Sequence, residues 1–356
     1  MNFHGGYTYK YNNELLDFSS NINPLGVPES FRGELERHME DFTKYPDAEY
    51  RNVRRSIAEY LDISDYDSII PGNGAVELIY KLIASSGSSG IVSLSPTFSE
   101  YGRAAAINRM GFYEVPAYNE EFTAIEMDKL LKYTKPGTMV VICNPNNPTG
   151  TLIKKADMQR LAERLEVLNC SLLIDEAFME FTDGYPADGM IGMLERFKNV
   201  TVIKAATKFF GMPGIRLGYA VTFNKNIQKN VRAICEPWNL NTAAVIAAGC
   251  IFRDEEYIKR SREWIKTERR YLFEGLCSIR GLKVYASEAN FHLLKIQNEK
   301  LDAYKLHDAL IEKGILIRLP EGFNNLSGYH FRLAVKDRAS NNFLIRVLSE
   351  VMSKYV

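Results

Sequence analysis

TVIKAATKFFGMPGIRLGY, residues 201–219, combines the pattern of a buried strand with a reactive side chain. Its β-branched, apolar start at 201–203 predicts a short strand inside a sheet. Lys208 follows in a predicted turn, and Arg216 lies beyond a pair of glycines. A lysine at the mouth of a buried sheet can bond to a cofactor aldehyde, and a nearby arginine can bind a phosphate. A lysine after a strand is more often a solvated surface residue, so other segments must supply the rest of such a site.

Size and charge indicate a soluble globular protein of metabolism. The chain has 356 residues, of which 46% are hydrophobic and 25% charged, which leaves room for two domains. Lysine plus arginine and aspartate plus glutamate both number 44, which does not favour a nucleic-acid partner. The sequence shows neither a secretory signal pattern nor an apolar run near the roughly 20 residues of a membrane-spanning helix. We therefore expect a cytoplasmic protein that binds no nucleic acid and no membrane.

The cysteines and histidines do not predict a metal site. The five cysteines are odd in number, widely scattered and mostly inside apolar runs, which is typical of reduced core residues. The five histidines lack the paired spacing of a zinc-binding helix or finger. We expect no metal.

Hydrophobic patterning divides the chain into three parts. Residues 1–28 cannot bury a core alone, so we expect an arm that lies across a larger body. Over 29–240, short hydrophobic runs alternate with helical patterns, which predicts an α/β domain with a mostly parallel sheet and helices on both faces. Residues 241–356 begin with a long helical pattern and return to short strands, which predicts a smaller C-terminal α+β domain.

Polar residues follow several of the predicted parallel strands, and ligands of such sheets collect at the carboxyl ends of strands. CNPNNPTG at 143–150 follows one strand, DEAF at 175–178 follows the next, and the Lys208 loop follows a third. Asp175 at the end of a buried strand needs a cationic partner, which a protonated pyridine nitrogen would provide.

A glycine turn, GNGAVE at 72–77, stands between a predicted strand and a predicted helix. The unpaired NH groups at such a helix start suit a phosphate. The same turn is common in α/β folds without a ligand, and it matches neither the dinucleotide GxGxxG pattern nor a P-loop.

Five motifs together resemble the fold-type I pyridoxal-phosphate enzymes, aminotransferase class I/II. They match in order and spacing along nearly the whole chain, and they are GNGAVE, CNPNNPTG, DEAF, ATKFFGMPGIRLGY at 206–219 and FRLAV at 331–335. The resemblance implies a pyridoxal-phosphate transferase fold and pyridoxal 5′-phosphate as the cofactor.

The resemblance also implies roles for individual residues. Lys208 would bond to the cofactor aldehyde and move protons, while Asp175 would pair with the ring nitrogen. Asn147 would hydrogen-bond the phenolic oxygen of the ring, and Phe98 would stack on the ring face. The contacts to the cofactor phosphate would come from Gly74, Ala75, Val76, Thr207, Arg216 and, across a homodimer interface, Tyr45 of a second subunit.

A phosphorylated, amino-acid-like substrate is expected from the same resemblance. Arg332 would grip a substrate anion, because the planar guanidinium pairs with two oxygens at once. Its companions for a phosphate or carboxylate would be His4, Asn23, Asn147 and Arg318.

Two groups within the family resemble the chain further. Threonine-phosphate decarboxylases of cobalamin biosynthesis, which form aminopropanol phosphate from L-threonine O-3-phosphate, share several local stretches with it. These stretches include HGG at 4–6, LDFSSNINPLG at 16–26, YPDAEY at 45–50, PWNLN at 237–241 and ILIR at 315–318. The alternative is a histidinol-phosphate aminotransferase of histidine biosynthesis, with 2-oxoglutarate and glutamate as partners. A catalytically idle DNA-binding regulator is disfavoured, because every core catalytic position is filled.

Three positions depart from the family pattern. Ala205 stands where many relatives have a phosphate-binding serine, and Phe178 stands where many aminotransferases have a tyrosine. Leu25 occupies the place of a substrate-facing tyrosine of histidinol-phosphate enzymes, which counts against that substrate.

Overall fold

The computed structural model describes residues 4–11 and 14–355, so residues 1–3 and 12–13 of the predicted arm lie outside the described part. The strands are β1 (Leu16–Asp17), β2 (Ile69–Asn73), β3 (Gly90–Leu94), β4 (Gly111–Val115), β5 (Met139–Cys143), β6 (Ser171–Asp175), β7 (Val200–Ala205), β8 (Leu217–Val221), β9 (Leu282–Val284), β10 (Phe291–Ile296), β11 (Ile315–Leu316) and β12 (His330–Ala334). The α-helices are α1 (Glu29–Arg37), α2 (Arg51–Leu61), α3 (Gly74–Ser85), α4 (Glu100–Ile107), α5 (Met127–Lys132), α6 (Lys155–Val167), α7 (Ala206–Phe209), α8 (Lys225–Ile234), α9 (Thr242–Cys250), α10 (Glu255–Cys277), α11 (Ala303–Ile311) and α12 (Arg338–Ser353).

A seven-stranded sheet forms the centre, in the order β2-β8-β7-β6-β5-β3-β4. Strand β8 runs antiparallel to both of its neighbours, and the other pairings are parallel. The predicted, mostly parallel α/β sheet is therefore confirmed. Every residue of β3, β5, β7 and β8 is buried, as expected for strands covered on both faces.

Side chains that alternate along the central strands face two separate hydrophobic cores, one on each side of the sheet. In β6, Leu172 and Ile174 face one core, which also contains Leu161 of α6. Leu173 between them faces the other core, together with Leu78 of α3. Since successive side chains of a strand point to opposite faces, α3 and α6 cover opposite sides of the same sheet.

Two elements of this region were not predicted from the sequence. Strand β8 follows Arg216, which has a left-handed φ of 57°, and the sequence pattern treats this stretch as part of the lysine loop. Helix α8 reads KNIQKNVRAI and buries only Gln228 and Val231. Its apolar residues Ile227, Val231 and Ile234 recur at helical spacing, so the sequence does carry the pattern of an amphipathic helix, which was overlooked.

The remaining strands join the two ends of the chain. Strands β12, β10 and β9 form an antiparallel sheet, while β1 pairs in parallel with β11. The main chain of Phe18 then donates to Leu316 O at 2.8 Å and accepts from Ala334 N at 2.9 Å. The division into arm, large domain and small domain stays a prediction. Within the described residues, no helix has the length and apolar character to cross a membrane.

Candidate active site

A cavity of about 430 Å³ opens at the carboxyl edge of the central sheet, between the arm and the C-terminal strands. It is lined by residues that are far apart in sequence. Among the predicted site residues, those that line it are His4, Ala75, Val76, Phe98, Asn147, Asp175, Thr207, Lys208, Arg216, Arg318 and Arg332.

Asp175 ends β6 and forms part of the cavity wall with only 5% of its surface exposed. Its Oδ2 accepts a hydrogen bond from the Tyr101 hydroxyl at 2.8 Å, and its Oδ1 accepts from Ala177 N at 3.0 Å. Burial raises the pKa of Asp175 above its ordinary value, and these two hydrogen bonds oppose the rise. No cation of the described residues forms an ion pair with it, so this buried carboxylate fits a positively charged ligand atom.

Lys208 reaches the same cavity from α7, the single helical turn after β7. Burial, followed by repulsion from Arg332 and Arg216, lowers its pKa from 10.5 to about 8. A depressed pKa raises the fraction of neutral amine, which is the nucleophilic form. The lysine is therefore prepared for covalent chemistry with a carbonyl group.

A cradle for an anion lies where α3 begins. Gly74 has a φ of 79°, and a Cβ added there would collide with the guanidinium of Arg216. A Cβ at Gly218 in β8 would collide with the backbone of Ala75. The helix start, Arg216 and Thr207 thus form a compact group of donors beside Lys208, as a phosphate requires. Gly74 shapes this cradle although it does not line the cavity.

Two adjacent arginines, Arg318 and Arg332, also line the cavity. The backbones of Arg318 and Arg332 pair directly, with N–H to O distances of 3.2 and 2.9 Å. Arg332 donates to Ser19 O at 2.9 Å and to the Asn147 side-chain oxygen, which leaves the Asn147 amide nitrogen to donate into the cavity. The guanidinium of Arg318 donates to two backbone carbonyls at 2.8 and 2.7 Å.

Neither arginine forms an ion pair with a carboxylate of the described residues. Burial lowers the pKa of Arg332 to about 9 and that of Arg318 to about 10, with further repulsion of Arg332 by Arg318. Buried charges are normally paired, so these two guanidinium groups fit anionic groups of a ligand.

The cavity wall nearest the arm is aromatic and charged. His4 Nε2 lies 2.9 Å from Glu100 Oε1, and its ring centroid lies 5.8 Å from that of Phe98. Phe98 therefore presents an apolar ring to the cavity beside His4, where it can cover the face of a planar ligand.

Besides Gly74, two predicted site residues do not line this cavity. The Nδ2 of Asn23 donates to Phe209 O and to Ser261 Oγ, both at 2.7 Å, so Asn23 holds the backbone next to Lys208, and its role as a substrate contact stays a prediction. Tyr45 is 78% exposed and stacks on Trp238 with centroids 4.4 Å apart. Its predicted role concerns the site of a second subunit and stays a prediction.

The departures from the family pattern fall at different places. Ala205 and Phe178 both line the cavity, and Phe178 packs edge-on against Phe291 with centroids 5.1 Å apart. Leu25 is only partly buried and is not a lining residue of this chain's cavity.

Sequence reasoning missed Tyr101, Glu100 and Ser19 as parts of the site. Tyr101 and Glu100 stand in EYGRA at 100–104, a stretch that carried the resemblance but no assigned role. Ser19 contributes through its backbone oxygen, for which the sequence carries no signal.

Comparison with known proteins agrees with this arrangement. The family model described as aminotransferase class I and II matches residues 13–348. A Caldanaerobacter subterraneus subsp. tengcongensis protein with the provisional name threonine-phosphate decarboxylase is 37% identical, over 97% of this chain and 92% of its own length. The threonine-phosphate decarboxylase of Salmonella typhimurium is 31% identical, over 96% of this chain and 92% of its own.

A solved structure is similar along the same length. The histidinol-phosphate aminotransferase from Clostridium acetobutylicum is 36% identical and has a TM-score of 0.90. The match covers 96% of this chain and 100% of that chain. Relatives of both kinds thus match at least 96% of the chain. The chain belongs to the aminotransferase class I and II family of pyridoxal-phosphate-dependent enzymes.

Proposed function

We propose that this enzyme decarboxylates L-threonine O-3-phosphate to aminopropanol phosphate and carbon dioxide. The observation that carries the proposal is the pair of adjacent buried arginines, Arg318 and Arg332, neither of which has a carboxylate partner among the described residues. L-Threonine O-3-phosphate carries two anionic groups, a carboxylate and a phosphate, which match two guanidinium groups.

Pyridoxal 5′-phosphate is the cofactor that the family implies, and the cavity residues fit it. The cradle formed by Ala75, Val76, Thr207 and Arg216 would hold its phosphate. When bound, the cofactor supplies an electron sink for the charge that bond cleavage leaves at the substrate carbon.

The chain's own residues would orient this ring and move protons around it. The Asp175 carboxylate would keep a proton on the ring nitrogen, because a buried carboxylate is stabilised by an adjacent cation. The amide nitrogen of Asn147 would donate to the phenolic oxygen, and Phe98 would cover one face. Lys208 Nζ would bond to the aldehyde and afterwards carry a proton to the substrate carbon.

Substrate orientation would select the bond that breaks. Decarboxylation requires the Cα–carboxylate bond to stand out of the ring plane, whereas transamination requires the Cα–H bond there. A phosphate held by Arg318 and His4 would anchor the far end of the substrate and so leave the carboxylate free to turn. Burial of Asp175, Arg318 and Arg332 lowers the dielectric around them, which strengthens their electrostatic contacts with a ligand.

A second candidate is transamination of histidinol phosphate with 2-oxoglutarate as the amino acceptor. The 36% identity with a solved histidinol-phosphate aminotransferase favours it. In this reaction the arginines would bind the phosphate of histidinol phosphate in one half-reaction and the carboxylates of 2-oxoglutarate in the other. Phe178 and Leu25 disfavour this second candidate, because both lack the hydroxyl of the tyrosine usual at these positions.

We also propose a homodimer with a shared site, working in the cytoplasm. Tyr45 is exposed on the chain that carries it and would reach the cofactor phosphate of the second subunit. Its stacking on Trp238 limits the positions of the ring and prepares it for such a contact.

The substrate proposal is tested by two parallel assays of the purified holoenzyme. We expect carbon dioxide from L-threonine O-3-phosphate, and no glutamate from histidinol phosphate plus 2-oxoglutarate. Arg318→Gln should lower kcat/KM by roughly 100-fold, since it removes a buried partner of a ligand charge. Arg253→Gln is the matched control, because this arginine pairs with Glu59 at an exposed site. Glutamate formation without carbon dioxide would establish the aminotransferase instead.

The pKa of Lys208 predicts how the reactivity of its amine depends on pH in the cofactor-free protein. Below its pKa of about 8 the amine is protonated and unreactive, and above it the neutral amine reacts, so acylation of Lys208 should rise with a midpoint near pH 8. Arg332→Gln should move the midpoint upward, because repulsion from Arg332 helps to lower this pKa. Peptide mass spectrometry after brief labelling at each pH gives the rate. An unchanged midpoint in the variant would refute the electrostatic explanation.

Mixed dimers test the shared site. Tyr45→Ala should weaken cofactor binding and Lys208→Ala should abolish turnover, but a dimer with one variant in each subunit keeps one intact site. At a cofactor concentration that leaves Tyr45→Ala mostly unloaded, unfolding and refolding the two variants together should therefore give more activity than either variant has alone. A fully active monomer in analytical ultracentrifugation would contradict the shared site.

A further inference from the structure

Tyr101 touches two of the residues assigned to the cofactor, although it does not itself line the cavity. It lies in the first turn of α4 and is completely buried. Its hydroxyl donates to Asp175 Oδ2 at 2.8 Å. Its ring meets that of Phe98 edge to face, with centroids 5.7 Å apart and an interplanar angle of 83°.

We propose that Tyr101 is a positioning residue that fixes the Asp175 carboxylate in its ionised form while holding the Phe98 ring in place. One side chain would thus link the contact to the ring nitrogen with the contact to the ring face. The inference rests on the cofactor site of the proposed function, and it does not depend on which substrate that site accepts.

The hydrogen bonds of Asp175 explain why the hydroxyl matters. Apart from Tyr101, its carboxylate accepts one hydrogen bond from the described residues, that from Ala177 N to Oδ1. Without the hydroxyl, Oδ2 would lose its partner while staying buried, which disfavours the charged form. A carboxylate that is less readily ionised would hold the proton of a ring nitrogen less firmly.

The surroundings of Tyr101 keep its hydroxyl protonated, so that it can donate a hydrogen bond. Burial, together with the nearby charge of Asp175, holds the pKa of the phenol well above its ordinary value, so the hydroxyl keeps its proton. The edge-to-face contact with Phe98 also limits rotation of the phenol ring. These contacts keep the hydroxyl directed at Asp175.

A purely structural role would make Tyr101 one more buried aromatic residue, and the chain offers a matched control for that possibility. Tyr118 is 9% exposed, and its hydroxyl has no hydrogen-bond partner among the described residues. Its ring also packs edge to face, against Phe122 with centroids 6.0 Å apart. Tyr118→Phe therefore deletes a buried hydroxyl without breaking a hydrogen bond to a carboxylate.

The test compares Tyr101→Phe with Tyr118→Phe. Titration of each cofactor-free protein with pyridoxal 5′-phosphate, without substrate, gives the dissociation constant. We expect Tyr101→Phe to raise it about tenfold or more, as the loss of a hydrogen bond to a charged group does, and Tyr118→Phe to leave it unchanged. The pH profile of the visible absorption band of the bound cofactor should shift in Tyr101→Phe alone. With substrate, kcat should fall while KM stays close to that of the parent.

A double-mutant cycle separates action through Asp175 from general loosening of the core. In an Asp175→Asn background the carboxylate is absent, so Tyr101→Phe should change the dissociation constant by less than twofold. Equal effects of Tyr101→Phe in both backgrounds would overturn the proposal. So would equal effects of Tyr101→Phe and Tyr118→Phe on binding and on the absorption band.

The outcomes also separate this inference from the proposed function. A parent protein that takes up no pyridoxal 5′-phosphate would overturn both. A parent protein that binds it, beside a Tyr101→Phe variant with the same affinity and the same pH profile, would overturn only the role of Tyr101.

Discussion

Parallel pairing of β6 with β7 inside the central sheet is the constraint on which the site depends. The register places Asp175 beside Ile203, so the acid and the turn that carries Lys208 emerge at one edge. A buried ion cluster ties the two strands together behind that edge. Lys204 Nζ lies 3.4 Å from a carboxylate oxygen of Glu176 and 3.2 Å from one of Glu180, with all three side chains buried. Loss of one partner would leave an uncompensated buried charge, so the cluster fixes this pairing.

The site itself contains charges that the described residues leave uncompensated. Asp175 is a buried acid without an ion-paired cation, while Arg318 and Arg332 are buried cations without a carboxylate. Such groups cost stability in the empty protein, because burial disfavours their charged forms. A ligand with a positive ring nitrogen and several negative groups would relieve this cost, so charge complementarity contributes directly to its affinity.

Much of the architecture was predictable from local sequence. The near-continuous hydrophobic runs of β3, β5 and β6 and the helical patterns of α3 and α6 were recognisable in the sequence. The edge at which Asp175 and Lys208 emerge followed from the rule for carboxyl ends of parallel strands. Strand β8 was missed because it follows a left-handed turn at Arg216. Helix α8 was overlooked although Ile227, Val231 and Ile234 recur at helical spacing.

The contacts between distant segments could not be predicted from local sequence. Asn23 was assigned to the substrate from its motif, yet its amide is used to hold the backbone at Phe209. Tyr101 was overlooked, because its link to Asp175 joins residues 74 positions apart. Pairing of β1 with β11, which brings the arm to the cavity, also depends on tertiary structure that sequence periodicity does not encode.

The central claim is that Lys208 and Asp175 act on opposite ends of one pyridoxal phosphate ring. Borohydride reduction of the cofactor-loaded protein, followed by peptide mapping, tests it most directly, because reduction fixes the cofactor to the amine that bonds to its aldehyde. The account predicts a pyridoxyl group on Lys208, and a strongly reduced yield of this product in Asp175→Asn at a limiting cofactor concentration. A label on another lysine, or equal labelling of Lys208 in both proteins, would contradict it.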